Sequence, residues 1–113
     1  MRRIEQAFEV FLETLRESEE YVRYQNAKNA LHEHPELEYT VHEFRKKNYQ
    51  IQNSGNVNLF DEVDRLEREN TEIRRNPVVE EYLAAEIAFC RLIQTINWRL
   101  IEGLDFEVGF VNE

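Results

Sequence analysis

The chain has 113 residues, with 14 Lys and Arg against 23 Asp and Glu, a formal charge of -9. Its three glycines and two prolines are too few for the frequent turns of a β-sandwich or barrel, and 42% hydrophobic residues beside 33% charged ones argue against disorder. One domain with a modest core is expected, too small for two domains around a catalytic cleft. An acidic surface repels phosphate backbones and anionic headgroups, so direct binding to nucleic acid or to a membrane is not expected. Arg2–Arg3, Arg45–Lys46–Lys47 and Arg74–Arg75 are short basic runs with acidic neighbours, the pattern of a solvated face. No apolar run approaches the ~18–20 residues that span a bilayer, and no apolar segment of a secretory signal follows Met1, so a cytoplasmic location is expected.

Five helices are predicted in chain order. The first runs from about Arg3 to Glu17. Ile4, Ala7, Phe8, Phe11, Leu12 and Leu15 form its apolar stripe, the spacing of an amphipathic helix. Ser18 is placed to cap a second helix, from about Glu19 to Glu33, with Glu19 and Glu20 in its first turn where the helix dipole favours negative charge. Tyr21, Tyr24, Ala27, Lys28 and Leu31 share one side of it. Pro35 suits the first position of a third helix, because it has no N–H to lose there. Leu37, Val41, Phe44 and Ile51 line that helix's buried side, and Asn53-Ser54-Gly55-Asn56 is the clearest loop.

Asn58 is placed to cap a fourth helix that ends near Arg75, with Leu59, Phe60, Val63, Leu66 and Ile73 as its stripe. Asn76-Pro77 combines an Asn cap with Pro at the first helical position, so a fifth helix starts there and runs to about Glu102, with Gly103 placed to end it. About 26 residues at 1.5 Å each make ~39 Å, as long as a compact domain of this size is wide. The helix also carries two apolar stripes. One is Val78, Tyr82, Ala85, Phe89, Leu92 and Ile96; the other is Val79, Leu83, Ile87, Cys90, Ile93 and Leu100. One stripe packs on the chain's own helices. The second needs either a central position among the other four or a partner, and dimerisation through this helix is the expected answer.

Residues 1–103 thus form a single all-α domain, a bundle of about five helices with a long C-terminal helix, expected to self-associate. Residues 104–113 are expected to be an extended tail, in which Leu104, Phe106, Val108 and Phe110 alternate with polar residues or glycine. Such a tail can lie along a helix groove, pair with its mate in a dimer or dock on another protein. The candidate partner-binding residues are Phe89, Ile93, Trp98, Leu104, Phe106, Val108 and Phe110.

Catalytic motifs are absent from the sequence. It has no phosphate-binding Gly-rich loop, no nucleophile elbow and no H-E-x-x-H, and an enzyme is not expected. His32, His34 and His42 cluster around Pro35, and Glu38 lies four residues before His42 on one helix face. A metal- or small-ligand-binding bundle using His34, Glu38 and His42 is therefore the alternative reading. The spacing departs from the Glu-x-x-His of di-iron bundles, and solvated surface histidines are the plainer account. Cys90, the single cysteine, has no neighbouring base and reads as a small buried hydrophobe.

The order of segments resembles a known family. Ser18-Glu19-Glu20-Tyr21-Val22-Arg23-Tyr24-Gln25-Asn26-Ala27, then Leu31, then Pro35-Glu36-Leu37 and Glu43-Phe44, are similar to the first half of the YlbF/YmcA family. Asn76-Pro77-Val78-Val79-Glu80-Glu81-Tyr82-Leu83 and the long apolar helix after it are similar to the second half. The resemblance runs from about Ile4 to Gly103. It implies a self-associating helical bundle without catalytic residues. It also implies a regulatory role in competence, sporulation and biofilm formation, exerted as an accessory factor to mRNA processing by the endoribonuclease RNase Y. Some members work in a complex with YmcA and YaaT that carries iron–sulfur clusters. The cluster-binding members have a Cys-rich tail, whereas this chain ends Phe110-Val111-Asn112-Glu113. No cofactor is expected, unless Cys90 adds one ligand to a cluster shared with partner subunits. The expected partners are a second copy, other family members and an RNase Y-type complex.

Overall fold

Two of the start signals are made as hydrogen bonds in the computed structural model, which describes residues 2–53 and 59–107 apart from the side chains of residues 59, 60 and 62. The Ser18 hydroxyl accepts from the Tyr21 N–H at 3.1 Å. The Asn76 side chain accepts from the Val78 N–H at 2.9 Å. Each satisfies one of the donors that a helix start leaves orphaned. The helices are α1 (Arg3–Arg16), α2 (Glu19–His32), α3 (Pro35–Gln52), α4 (Leu59–Ile73) and α5 (Pro77–Gly103). The described residues contain no strand. Asn58 and the loop Ser54-Gly55-Asn56 lie outside the described residues, as do Val108 to Glu113.

The core sits where α2, α3 and the start of α5 meet. Ala27 and Leu31 of α2, Val41 of α3, and Val79, Tyr82, Leu83 and Ala85 of α5 are buried together, with Tyr24, Leu37, Ile73 and Val78 packed against them. The pairing of α2 with α5 dominates the fold, and α3 with α4 forms a second hairpin joined to it through α2. Ring contacts give the direction: Tyr24 meets Tyr82, while Tyr21, earlier in α2, meets Phe89, later in α5. The two helices therefore run antiparallel.

The apolar stripe of α1 does not enter the core. None of its residues is buried. The chain turns at Glu17 and Ser18, and α1 then packs chiefly on α2. Its stripe is real, but Ile4 is 66% exposed and Phe8 53% exposed. The expected buried Cys90 is corrected: its thiol is exposed, because it lies seven residues past buried Leu83 and just beyond Phe89, where the cover of this side of α5 runs out.

The end of α5 differs from expectation too. Gly103 is its last helical residue, and Asp105 takes the left-handed conformation at φ 49°. The Phe106 N–H donates to the Ile101 carbonyl at 3.0 Å and the Asp105 N–H to the Glu102 carbonyl at 3.2 Å. This is a Schellman-type end with Asp where glycine is usual.

The radius of gyration is 18.4 Å, with extents of 50 × 39 × 21 Å. A compact chain of this length has a radius near ~13 Å. The accessible area is 9237 Å², where a compact monomer of this mass exposes about 6,600 Å². The protein is thus too open to have closed a core over all its apolar faces.

Candidate interaction surface

The base of the surface is a rigid junction built on the first half of α5. Arg23 of α2 donates through Nε and Nη2 to the Glu81 carboxylate at 2.8 and 2.9 Å. That bidentate pair raises the Arg23 guanidinium and holds Glu81 below the usual carboxylate range, each mainly through the shared hydrogen bonds. Arg45 of α3 is ion-paired to Glu86, and its guanidinium lies 5.4 Å from the centre of the Tyr82 ring. The Tyr82 hydroxyl donates to the same carboxylate at 3.4 Å. Burial pushes the Tyr24 phenol up to about 12, with a smaller contribution from the neighbouring Tyr82. Arg45 thus ties α3 to α5 where aromatic rings tie α2 to α5.

Phe89 is the last ring of this junction. It stacks on Tyr24 at 5.6 Å between centroids and meets Tyr21 edge-on at 5.7 Å. Among the residues expected to bind a partner, Phe89 is therefore occupied within its own chain. Beyond it the covered face continues without cover. Val79, Glu86, Ile93 and Leu100 recur every seven residues, as do Tyr82, Phe89 and Ile96, so both rows stay on one side of the helix. Running antiparallel, α2 begins at Glu19, opposite the stretch just past Phe89. Ile93 is left 41% and Leu100 57% exposed.

Trp98 is 39% exposed and shares the opposite side of α5 with Ile87, at 43%. Leu104 and Phe106 follow at 74% and 65%. Val108 and Phe110 lie outside the described residues. The structure thus brings Ile93, Leu100, Leu104 and Phe106 to one bare end of the molecule, with Trp98 around the helix from them.

Sequence reasoning did not mark the stripe of α1 as a second uncovered apolar face. A stripe on a helix marks a face that needs cover without saying what covers it. The signal was the two-residue link Glu17-Ser18 to a helix already committed to α5.

The histidine cluster is assembled differently from the alternative reading. Glu38 reaches back to His32 of α2, forming an ion pair when that ring is protonated, and His34 Nδ1 lies 3.6 Å from Glu36. His42 stands apart and exposed. Among the described residues no three His, Cys, Asp or Glu side chains converge as metal ligands. Of the central basic run, Arg45 pairs with Glu86 and Lys47 approaches Glu69 at 3.7 Å. A shallow groove between α3 and α4 is lined by Phe44, Ile51, Val63, Leu66 and the amides of Asn48 and Asn70. No described helix is long and apolar enough to cross a membrane.

Comparison with known proteins follows the same outline. The profile of the family described as control of competence regulator ComK, YlbF/YmcA, matches residues 4–105. A protein of Caldicellulosiruptor bescii named UPF0342 protein is 27% identical over 96 residues, which cover 82% of this chain and 81% of that protein. A second UPF0342 protein, from Caldicellulosiruptor saccharolyticus, is 27% identical over 96 residues, covering 82% of this chain and 80% of its own. No solved structure matches.

Proposed function

The chain is a member of the YlbF/YmcA family, and we propose that within it the protein is a non-enzymatic adaptor that works by assembling with itself and with protein partners. The observation that carries this reading is the bare apolar end of α5, with Ile93, Leu100, Leu104 and Phe106 all more than two-fifths exposed. A contiguous apolar surface of this kind on a soluble helical chain marks a protein-interaction site. Its rigid base of ion pairs and stacked rings suits presentation of a fixed surface.

The finer role follows the family: a cytoplasmic accessory factor that tunes mRNA processing by an RNase Y-type endoribonuclease, and through it competence, sporulation and biofilm formation. The -9 charge disfavours direct contact with RNA, so the adaptor would act on the enzyme. A single exposed thiol, Cys90, does not make a cluster site in this chain, and an iron–sulfur cluster would need ligands from partner subunits.

An affinity pull-down of the tagged protein from its native host, read by mass spectrometry, tests this reading. Recovery of an RNase Y-type enzyme or of sister family members is the expected result. Recovery of the bait alone would contradict it. The metal- or ligand-binding alternative on His34, Glu38 and His42 stands second, because Glu38 meets His32 instead. Elemental analysis after metal reconstitution tests it, with about one bound equivalent as its mark.

A further inference from the structure

Asn48 and Asn70 break the apolar stripes of α3 and α4, and the fold brings both into the groove between those helices. We propose that this groove holds an extended segment of a partner protein, one with apolar residues at alternate positions and a Lys or Arg beside them. The site is separate from the bare end of α5 and stands whether or not the chain assembles with itself.

The amides are the first argument. An Asn in the seam of a helix pair can fix register by bonding across to the facing helix. Neither Asn does so here. Asn48 accepts from Gln52 Nε2 of its own helix at 3.3 Å, and Asn70 accepts from Arg74 Nε of its own helix at 3.1 Å. A carboxamide carries two N–H donors and a carbonyl acceptor. The side-chain N–H groups of Asn48 and Asn70 and the side-chain carbonyl of Gln52 therefore have no protein partner among the described residues. Asn48 and Asn70 are half-buried, and a polar group that loses its water on docking needs a new partner. The occupant must supply hydrogen bonds as well as apolar surface.

Shape decides which kind of occupant does so. Phe44 and Ile51 of α3 and Val63 and Leu66 of α4 give the groove an apolar lining, with Leu66 buried at the floor and Val63 exposed on a wall. Its volume is about 590 Å³. From Phe44 to Gln52 it follows α3 for ~12 Å, the length of about four extended residues. A helix bonds its own backbone N–H and C=O groups to each other and leaves only side chains for the amides. An extended segment has its backbone groups free, and its side chains point alternately towards and away from the surface beneath. It offers backbone groups to Asn48, Gln52 and Asn70 and every second side chain to the apolar lining.

Charge completes the description. Glu67 is the one charged side chain among the described residues that line the groove. It has no ion pair among the described residues, since Arg68 pairs with Asp64 and Arg74 with Glu80. An open carboxylate beside an apolar groove favours an occupant with Lys or Arg at that point.

Phage display of short random peptides on the whole chain tests the proposal, followed by fluorescence anisotropy on synthetic copies of the peptides selected. Sequences with apolar residues at alternate positions and a Lys or Arg between them are expected. Asn48→Leu and Asn70→Leu in one chain should weaken their binding at least about tenfold, with helix content unchanged by circular dichroism. That double variant makes the groove more apolar, so a helix docked through an apolar face would bind it as well or better. Val63→Lys, at an exposed wall position, should weaken the same peptides about tenfold without relying on the amides. Glu67→Gln should weaken them about threefold and flatten the salt dependence. Leu100→Asp should leave them unaffected, which separates them from peptides held by the bare end of α5. Selected peptides with helical apolar spacing, or ones that bind the double variant undiminished, would overturn the proposal. So would a failure to select any peptide that Val63→Lys releases.

Discussion

Val79, Tyr82, Leu83 and Ala85 in the first half of α5 are buried, whereas Ile93, Leu100 and, just past the helix, Leu104 are exposed. Both halves are rich in apolar residues on the same seven-residue spacing. The difference lies in the neighbours. α2 runs back along α5 only as far as its own start at Glu19, and the turn at Ser18 carries α1 away. Hydrophobicity therefore marks where cover is needed, and chain connectivity decides whether the cover comes from within. The first half of α5 holds the fold together. The second half is kept for another surface.

The contrast breaks most sharply when a charge is placed in each half. Val79→Asp puts an unpaired carboxylate at a site only 1% exposed and is expected to cost about 3–5 kcal/mol. Leu100→Asp, measured by urea unfolding at concentrations low enough to keep the chain monomeric, is expected to stay within about 0.5 kcal/mol of wild type. Equal losses at the two sites would mean that α5 is buried along its whole length.

Removing Arg45 loosens the junction without touching the bare end. Arg45→Ala loses the Glu86 pair and the Tyr82 ring contact, and about 1–2 kcal/mol of stability is expected to go with them. The self-association constant, measured on the fraction still folded, should not change.

Alkaline pH probes the same junction. The Tyr24 phenol is raised from 10.0 to about 12 in the folded chain, first by burial. A group whose folded value is raised lends stability that is complete below the unfolded value and fades as pH climbs to the folded one. Stability should therefore fall between pH 10.0 and about 12, and Tyr24→Phe should flatten that fall. An unchanged slope in the variant would assign the loss to other groups.

The smallest effects lie at the end of α5. No atom lies within 4 Å of a Cβ built on Gly103, so Gly103→Ala is expected to stabilise the chain by about 0.5–1 kcal/mol. Asp105 sits at φ 49°, and Asp105→Gly should relieve that conformation for a gain of about 1 kcal/mol. Thermal melts check both.

Helix limits were legible in the sequence because their signals are local. Ser18, Pro35 and Asn76-Pro77 each start a helix through an atom within a few residues, and each does so here. The core was legible for α2 and the first half of α5, where apolar residues face one another across a single antiparallel pair. The fate of α1 was not, because a stripe such as Ile4, Phe8 and Phe11 looks the same whether it faces its own core or another surface. Cys90 misled for a related reason: it continues the row of buried Leu83 seven residues on, but lies past Phe89, where cover from the chain's own helices runs out. The aromatic junction needed the fold itself. Nothing local in Arg45 announces that it will meet Glu86, a residue 41 positions away.

The division of α5 is tested most directly by hydrogen exchange, read by mass spectrometry at rising protein concentration. Peptides from residues 77–89 should be protected at every concentration, while peptides from 3–16 and 93–103 should gain protection together as the chain associates. Equal, concentration-independent protection along the whole of α5 would contradict the division and show that one chain covers the helix by itself.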